Sequence, residues 1–332
     1  MKKLLQANSF VLSILLIVGF AALFPALGSS ESILPVSWLK KIGVFLIFFN
    51  QGVLLPREEL KQGFLELRLH ALIQFTTYLF FPVVIFFGLW ASKSFFTQAD
   101  LRAGFLFLAF LPTTVTSAVA LTSVAGGNVS GSLFNCTLSS VISVFLTPLL
   151  CVYFLGQGGG ETDMAVTSIL QNVMITLLVP LVLGQVARRS LKGVFGARKK
   201  AIKHFNNGVI LFIIWSAFCK SFLENVWDSV QGLDVGMSLF GTALLLLLAS
   251  AWVWGWSGKL SLSIPSRITA LFCGSQKSIA MGLPLSAMIF TSHVSEQVEL
   301  SLLVIPLLIY HPLQLIFAGW IMPRLQALSS QP

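Results

Sequence analysis

The 332-residue chain is 56% hydrophobic and 10% charged, with a mean hydropathy of +0.88. Soluble domains carry about 25% charge, so composition places the chain in a bilayer and leaves little of it for a soluble domain. The net charge of +9 sits in segments that flank apolar stretches, which excludes a nucleic-acid-binding patch.

About twenty apolar residues cross a bilayer as a helix. That rule predicts ten spans, at 9–28, 38–55, 69–92, 103–124, 129–155, 164–187, 205–223, 235–257, 266–290 and 298–322. The first follows Met1-Lys2-Lys3 and resembles a signal peptide, with small residues after Pro25. Nine hydrophobic segments behind it favour an uncleaved span. Asn50 and Gln51 close the second span near the cytoplasmic end. The third carries Gln74, Thr76 and Thr77.

The fourth span is interrupted. Pro112 is followed by Thr113, Thr114, Thr116 and Ser117, a run of β-branched and hydroxyl residues. Gly126-Gly127-Asn128 then turns into a fifth span bearing Ser132, Asn135, Thr137, Ser139 and Ser140. The glycine-rich run 156–160 reads as a flexible connector. The basic run from Arg188 to His204 reads as the longest cytoplasmic loop and as an anchor on anionic lipid. The ninth span carries Cys273-Gly-Ser-Gln-Lys-Ser278 at its centre, with Gly282 and Pro284 after it. In the tenth, His311 beside Pro312 reads as a packing histidine, near Tyr310 and Gln314. Most of the hydroxyls are expected to bond neighbouring helices or their own preceding turn.

An even span count puts both termini on one side. Of the 21 Lys and Arg, fifteen flank that side, five the other, and Lys277 neither, so both termini are expected in the cytoplasm. The expected location is the plasma membrane, the inner membrane in a bacterium. Residues 1–155 and 156–332 have similar layouts of five spans each. Two odd-numbered repeats insert with opposite topology, a device of secondary transporters. Four cysteines (Cys136, Cys151, Cys219, Cys273) lie inside apolar segments without zinc or redox spacing. No nucleophile motif, phosphate loop or acidic cluster is present, so neither an enzyme nor a cofactor is expected.

Lys277 is the only charge near the middle of an apolar segment. It should lie about 15 Å from either bilayer surface. A charge at that depth costs at least ~2.5–3.5 kcal/mol and is a functional hypothesis by default. No carboxylate lies at comparable depth in the sequence.

The run Leu111 to Asn128, the closing Leu146-Thr147-Pro148, and Phe272-Cys-Gly-Ser-Gln-Lys-Ser-Ile-Ala-Met-Gly-Leu-Pro284 resemble the bile acid:sodium symporter family. The likeness is closer to the branch typified by solute carrier family ten, member seven, and its bacterial relatives. It implies an all-α membrane protein of ten helices in two inverted five-helix repeats. Spans 1, 2, 6 and 7 would form a panel domain, and spans 3, 4, 5, 8, 9 and 10 a core domain in which broken helices 4 and 9 cross.

Sodium sites carry over in part. Gln74, Ser132 and Gln276 match expected ligands, whereas Phe272 stands where a glutamate is expected, Val119 near an asparagine, and Cys136 for a threonine. A hard cation favours oxygen ligands and gains from a carboxylate, so sodium coupling is disfavoured.

Three roles are open for Lys277. It could fill the vacated cation position and donate to free carbonyls of the fourth and ninth spans. It could exchange a proton between facings, or bind an anionic substrate directly. The expectation is a secondary transporter of a small organic anion, driven by protons more than by sodium. The expected site comprises Lys277, Gln276, Ser275, Gln74, Ser132 and Asn135, with Thr114, Thr116 and Ser117 along the crossing. Its partners would be that solute and the lipid bilayer. A non-transporting regulator, for example of calcium handling, is the alternative, followed by a sodium-coupled symporter with a degenerate ion site.

Overall fold

The polar interruptions in the apolar sequence become breaks and turns between helices. The computed structural model describes residues 2–28, 35–54, 66–92, 98–155, 163–291 and 298–330. The connector at 156–160, the loop at 56–65 and Lys93 lie outside the described residues. Twelve α-helices occur among those described, and no strand. They are α1 (Lys2–Leu23), α2 (Val36–Leu54), α3 (Leu67–Ala91), α4 (Ala99–Phe110), α5 (Val115–Val124) and α6 (Val129–Leu155). Then come α7 (Asp163–Ala197), α8 (Lys199–Leu223), α9 (Gly232–Lys259), α10 (Ile264–Ser275), α11 (Ile279–Thr291) and α12 (Leu300–Ser329).

Five of these, α3, α6, α8, α9 and α12, are long and apolar enough to cross a membrane, and α4 with α5 makes a sixth if the bent pair is one span. The chain is an all-helical, multi-pass membrane protein.

The expected cytoplasmic connection between the sixth and seventh spans has a helical backbone. The run from Arg188 to His204 is helical except at Arg198, because Lys, Arg and Ala favour helix and no proline interrupts them. α7 therefore continues past its apolar part, and α8 begins one residue later.

Two compact units divide the chain. The first contains residues 1–55, 148–231 and 283–304. Within it α1 packs on α8, and α2 on α7. The α2–α7 contact is close because both helices present glycine. A Cβ on Gly52 would lie 2.2 Å from Leu181 O, and one on Gly184 2.2 Å from Phe49 O. Such small-residue contacts let membrane helices approach backbone to backbone. Gln185 Nε2 donates to Gly52 O, and Arg188 Nη1 to Val53 O at 3.0 Å, which satisfies carbonyls at the end of α2.

The second unit contains residues 56–147, 232–282 and 305–332. Its centre is α10, which packs on α3, α5 and α9. Its core includes Leu69, Ile73, Ala118, Val253, Ile268 and Leu271. α5 ends in a Schellman motif. Gly126 has φ +76°, Gly127 N–H donates to Thr122 O at 2.8 Å, and Gly126 N–H to Ser123 O at 3.4 Å. The next residue, Asn128, caps α6 through Gly131 N–H at 2.9 Å. Asn128 N–H donates to Pro265 O at 3.1 Å, and its Nδ2 to Glu66 Oε1 at 2.7 Å. The same carboxylate takes Ser266 Oγ at 2.6 Å, so Glu66 ties the starts of α6 and α10.

Candidate functional site

Two helix breaks run past each other in the second unit. α4 stops at Phe110 because Pro112 has no N–H for Leu108 O and disfavours helix at Leu111. Leu111 is extended (φ −76°, ψ 148°), as is Thr114 (φ −83°, ψ 134°), and the axis bends by 57° into α5. α10 stops at Ser275, Gln276 is extended (φ −96°, ψ 146°), and Ser278 Oγ accepts from Met281 N–H at 3.2 Å as α11 begins. Ser278 N–H donates to Pro112 O at 2.9 Å, joining the breaks.

Broken helices strand backbone groups, and inside a membrane each needs a partner. Most find one in α6 or α12. Thr147 Oγ1 donates to Phe110 O at 2.6 Å, and Thr113 N–H to Ser139 Oγ at 3.2 Å. Tyr310 donates its hydroxyl to Ser275 O at 2.6 Å. The Gln314 amide pairs with the Lys277 backbone, accepting its N–H at 2.9 Å and donating to its carbonyl at 3.2 Å.

Three carbonyls converge on Lys277 Nζ: Thr77 O at 3.0 Å, Ala109 O at 2.9 Å and Leu111 O at 2.8 Å. The Phe81 ring lies against the same ammonium, its centroid 4.1 Å from Nζ. Lys277 is fully buried, and no carboxylate pairs with it among the described residues. An ammonium has three N–H donors, and all three are committed here.

Each acceptor is free for a local reason. Residues Thr76–Phe80 form a π-turn in α3, where Phe81 N–H donates to Thr76 O rather than to Thr77 O. The next donor along would belong to Pro82, which has none. Thr77 O is therefore orphaned within its own helix. The helical donor to Ala109 O would be Thr113 N–H, which turns instead to Ser139. Leu111 is already outside α4. The acceptors thus come from the third and fourth expected spans, not the fourth and ninth. Pro82 is the sequence signal for the orphaned carbonyl of Thr77.

The other expected residues form three groups. Ser117 Oγ donates to Gln276 Oε1 at 3.0 Å and lies 3.3 Å from Thr114 Oγ1. Gln276 Nε2 is buried with no partner among the described residues. Gln74 Nε2 donates to Asn135 O and Oδ1, both at 3.3 Å, while Gln74 Oε1 has no partner among the described residues. Asn135 Nδ2 lies 2.9 Å from His70 Nδ1 and donates to Gly131 O at 2.8 Å. Ser132 Oγ lies 3.2 Å from Cys273 Sγ, itself 3.7 Å from Cys136 Sγ.

Two expected residues, Ser275 and Thr116, are not joined to these groups by side-chain hydrogen bonds among the described residues. The Ser275 hydroxyl turns back to Leu271 O at 2.6 Å, and Thr116 is exposed without a hydrogen bond to the others among the described residues. Sequence reasoning missed Phe81 and His70, which no local pattern marks, and left Tyr310 and Gln314 outside the site. His311 is a packing histidine in geometry, its Nδ1 2.9 Å from Gln314 Nε2.

This donor set does not fit a sodium ion. Of the three expected ligands, Gln276 Oε1 already accepts from Ser117, and Ser132 faces thiols. Among the described residues only Gln74 Oε1 of these has no hydrogen-bond partner, and no carboxylate neutralises a cation there.

Residues 8–327 match the SBF-like CPA transporter family. The chain is 33% identical to sodium/bile acid cotransporter 7 of Danio rerio over 325 residues, covering 96% of this chain and 93% of that protein. An uncharacterized protein of Pseudomonas aeruginosa is 32% identical over 318 residues, covering 96% and 92%. Sodium/bile acid cotransporter 7 of Mus musculus is 30% identical over 320 residues, again 96% and 92%. With helix breaks at its centre and this match along nearly its whole length, the chain belongs to the SBF-like CPA transporter family, a family of transporters and not of enzymes.

Proposed function

We propose that the chain is a secondary transporter of a small organic anion, working by alternating access, in which the Lys277 ammonium is a resident cation. The observation that carries this is the triad of backbone carbonyls around Nζ, at 2.8–3.0 Å. Backbone oxygens arranged around one positive charge are what a bound alkali ion would also need. The ammonium supplies that charge covalently, so the crossing is held without an ion from solution. Its three donors are committed, which favours this role over direct capture of substrate.

In this reading ten spans form two inverted five-span repeats, residues 1–155 and 156–332, with both termini in the cytoplasm. The domains are a panel (spans 1, 2, 6 and 7) and a core (spans 3, 4, 5, 8, 9 and 10). Support comes from the two compact units, since α1, α2, α7 and α8 fall in the first, and the crossing breaks in the second. An anionic solute is supported by the starts of α5 and α11 at the crossing, where helix dipoles are positive. The unpartnered Gln276 Nε2 adds a donor there.

Relatives are named sodium/bile acid cotransporters. The poor fit of Gln74, Ser132 and Gln276 to sodium favours protons as the driving ion here. Purified protein in proteoliposomes tests this with organic anions under separate proton and sodium gradients. Uptake with the proton gradient in sodium-free buffer is expected. A strict sodium requirement, or no solute-dependent flux under either gradient, would overturn the proposal.

A further inference from the structure

A concave feature lies in the first unit, among the end of α2, the end of α7 and the start of α8. It is a groove of about 390 Å³ walled by Leu46, Phe195, Ile202 and Phe205, with Asn50 and Arg198 as its polar members. That volume falls in the usual range for small-molecule sites, about 300–1,000 Å³. Asn50 is buried and donates to Asn206 Oδ1 at 2.9 Å, so its amide is already engaged.

The segments that supply the groove's α7 and α8 walls carry charge of one sign. Arg198 breaks the helix between α7 and α8, is exposed, and has no ion-pair partner among the described residues. Residues 164–223 contain no Asp or Glu, while 188–204 hold seven Lys and Arg. α8 then opens with Lys199 and Lys200, with no acid in its first turn. The walls are apolar and the polar end is a guanidinium, which suits a molecule with an apolar tail and an anionic head.

We infer that this groove binds one anionic phospholipid, its acyl chain along the apolar walls and its phosphate on Arg198. Guanidinium and phosphate pair through two parallel charge-assisted hydrogen bonds. Basic pockets between membrane helices are recurrent headgroup sites. A zwitterionic lipid offers the same tail, but its own ammonium would meet the Arg198 guanidinium.

The test uses the full chain, stripped of lipid in detergent and titrated with phosphatidylglycerol or phosphatidylcholine, with bound lipid counted by native mass spectrometry. One phosphatidylglycerol should bind and phosphatidylcholine should not. Arg198→Ala should weaken retention at least about tenfold, the loss of a charge-assisted contact. Ala201→Phe fills the groove from its wall and should do the same, with thermal melting confirming that each variant is folded. Lys203→Ala removes the same charge outside the groove and should bind as the wild type does. Equal binding of the two lipids, full retention by Arg198→Ala, or an equal loss in Lys203→Ala would overturn the inference. So would competition by glycerol phosphate at the same concentration as the lipid, since the acyl chain would then contribute nothing.

Discussion

Lys277 Nζ donates to Thr77 O at 3.0 Å, joining two residues 200 positions apart. The donor stands between two half-helices and the acceptor in a π-turn, so each satisfies an irregularity in the other's segment. Neither would be stable alone in an apolar surrounding. A charge costs at least ~2.5–3.5 kcal/mol at membrane depth, and a buried carbonyl without a donor costs about 1–3 kcal/mol.

Lys277→Met keeps most of the length and an apolar stem but removes the charge and all three donors. Three carbonyls are then left dry. The expected result is a melting temperature lower by several degrees and solute flux at background in proteoliposomes. Wild-type flux in the folded variant would remove the ammonium from the mechanism.

Lys277→Ala makes a different prediction, because it leaves a void beside three carbonyl oxygens. Hard cations take such ligands, and a ligand that binds only the folded state raises its stability. Sodium is expected to raise the melting temperature of Lys277→Ala by a few degrees and leave that of the wild type unchanged. A sodium-dependent shift in the wild type would contradict the resident-cation proposal.

Pro82→Ala supplies the N–H that Thr77 O lacks within α3. Proline inside a helix usually costs ~3 kcal/mol, so the variant should melt no lower than the wild type. Its flux should nevertheless fall, because Thr77 O gains a competing donor. Unchanged flux would mean that the free carbonyl is incidental.

Ser117→Ala leaves Gln276 Oε1 without its donor. The loss of one hydrogen bond should cost about 0.5–1.5 kcal/mol. With both polar ends of Gln276 then unpaired, apparent KM for the solute should change more than the maximal rate. Uptake measured against solute concentration separates the two.

Gly52→Val tests the first unit apart from the crossing. A Cβ there would meet Leu181 O at 2.2 Å and Gly184 Cα at 3.1 Å, all backbone and unable to rotate away. Forced separation of α2 and α7 should destabilise by about 1–3 kcal/mol, seen as lower melting. A neutral result would show that the helices can part without cost.

The breaks at Pro112 and at Gln276–Lys277 were legible in the sequence, because proline and a lone charge interrupt otherwise apolar runs. The membrane class was legible from composition alone. The helical state of Arg188 to His204 was not, since a basic run reads as a loop although its residues favour helix. The partners of Lys277 were hidden for another reason. Thr77, Ala109 and Leu111 act through their carbonyls, and a backbone oxygen leaves no mark in side-chain identity. Gln314 was visible as a buried amide, but only the approach of α12 to the Lys277 backbone gives it a task.

The π-turn at Thr76–Phe80 makes helix length a functional quantity. Deleting Thr76 would return α3 to ordinary winding, with Phe81 N–H donating to Thr77 O four residues back. Phe81 and the Thr77 carbonyl could then no longer share one cation. A change that improves the helix by every local measure would dismantle the site. Insertions and deletions in this short stretch should therefore be less tolerated than most single substitutions along the same helix.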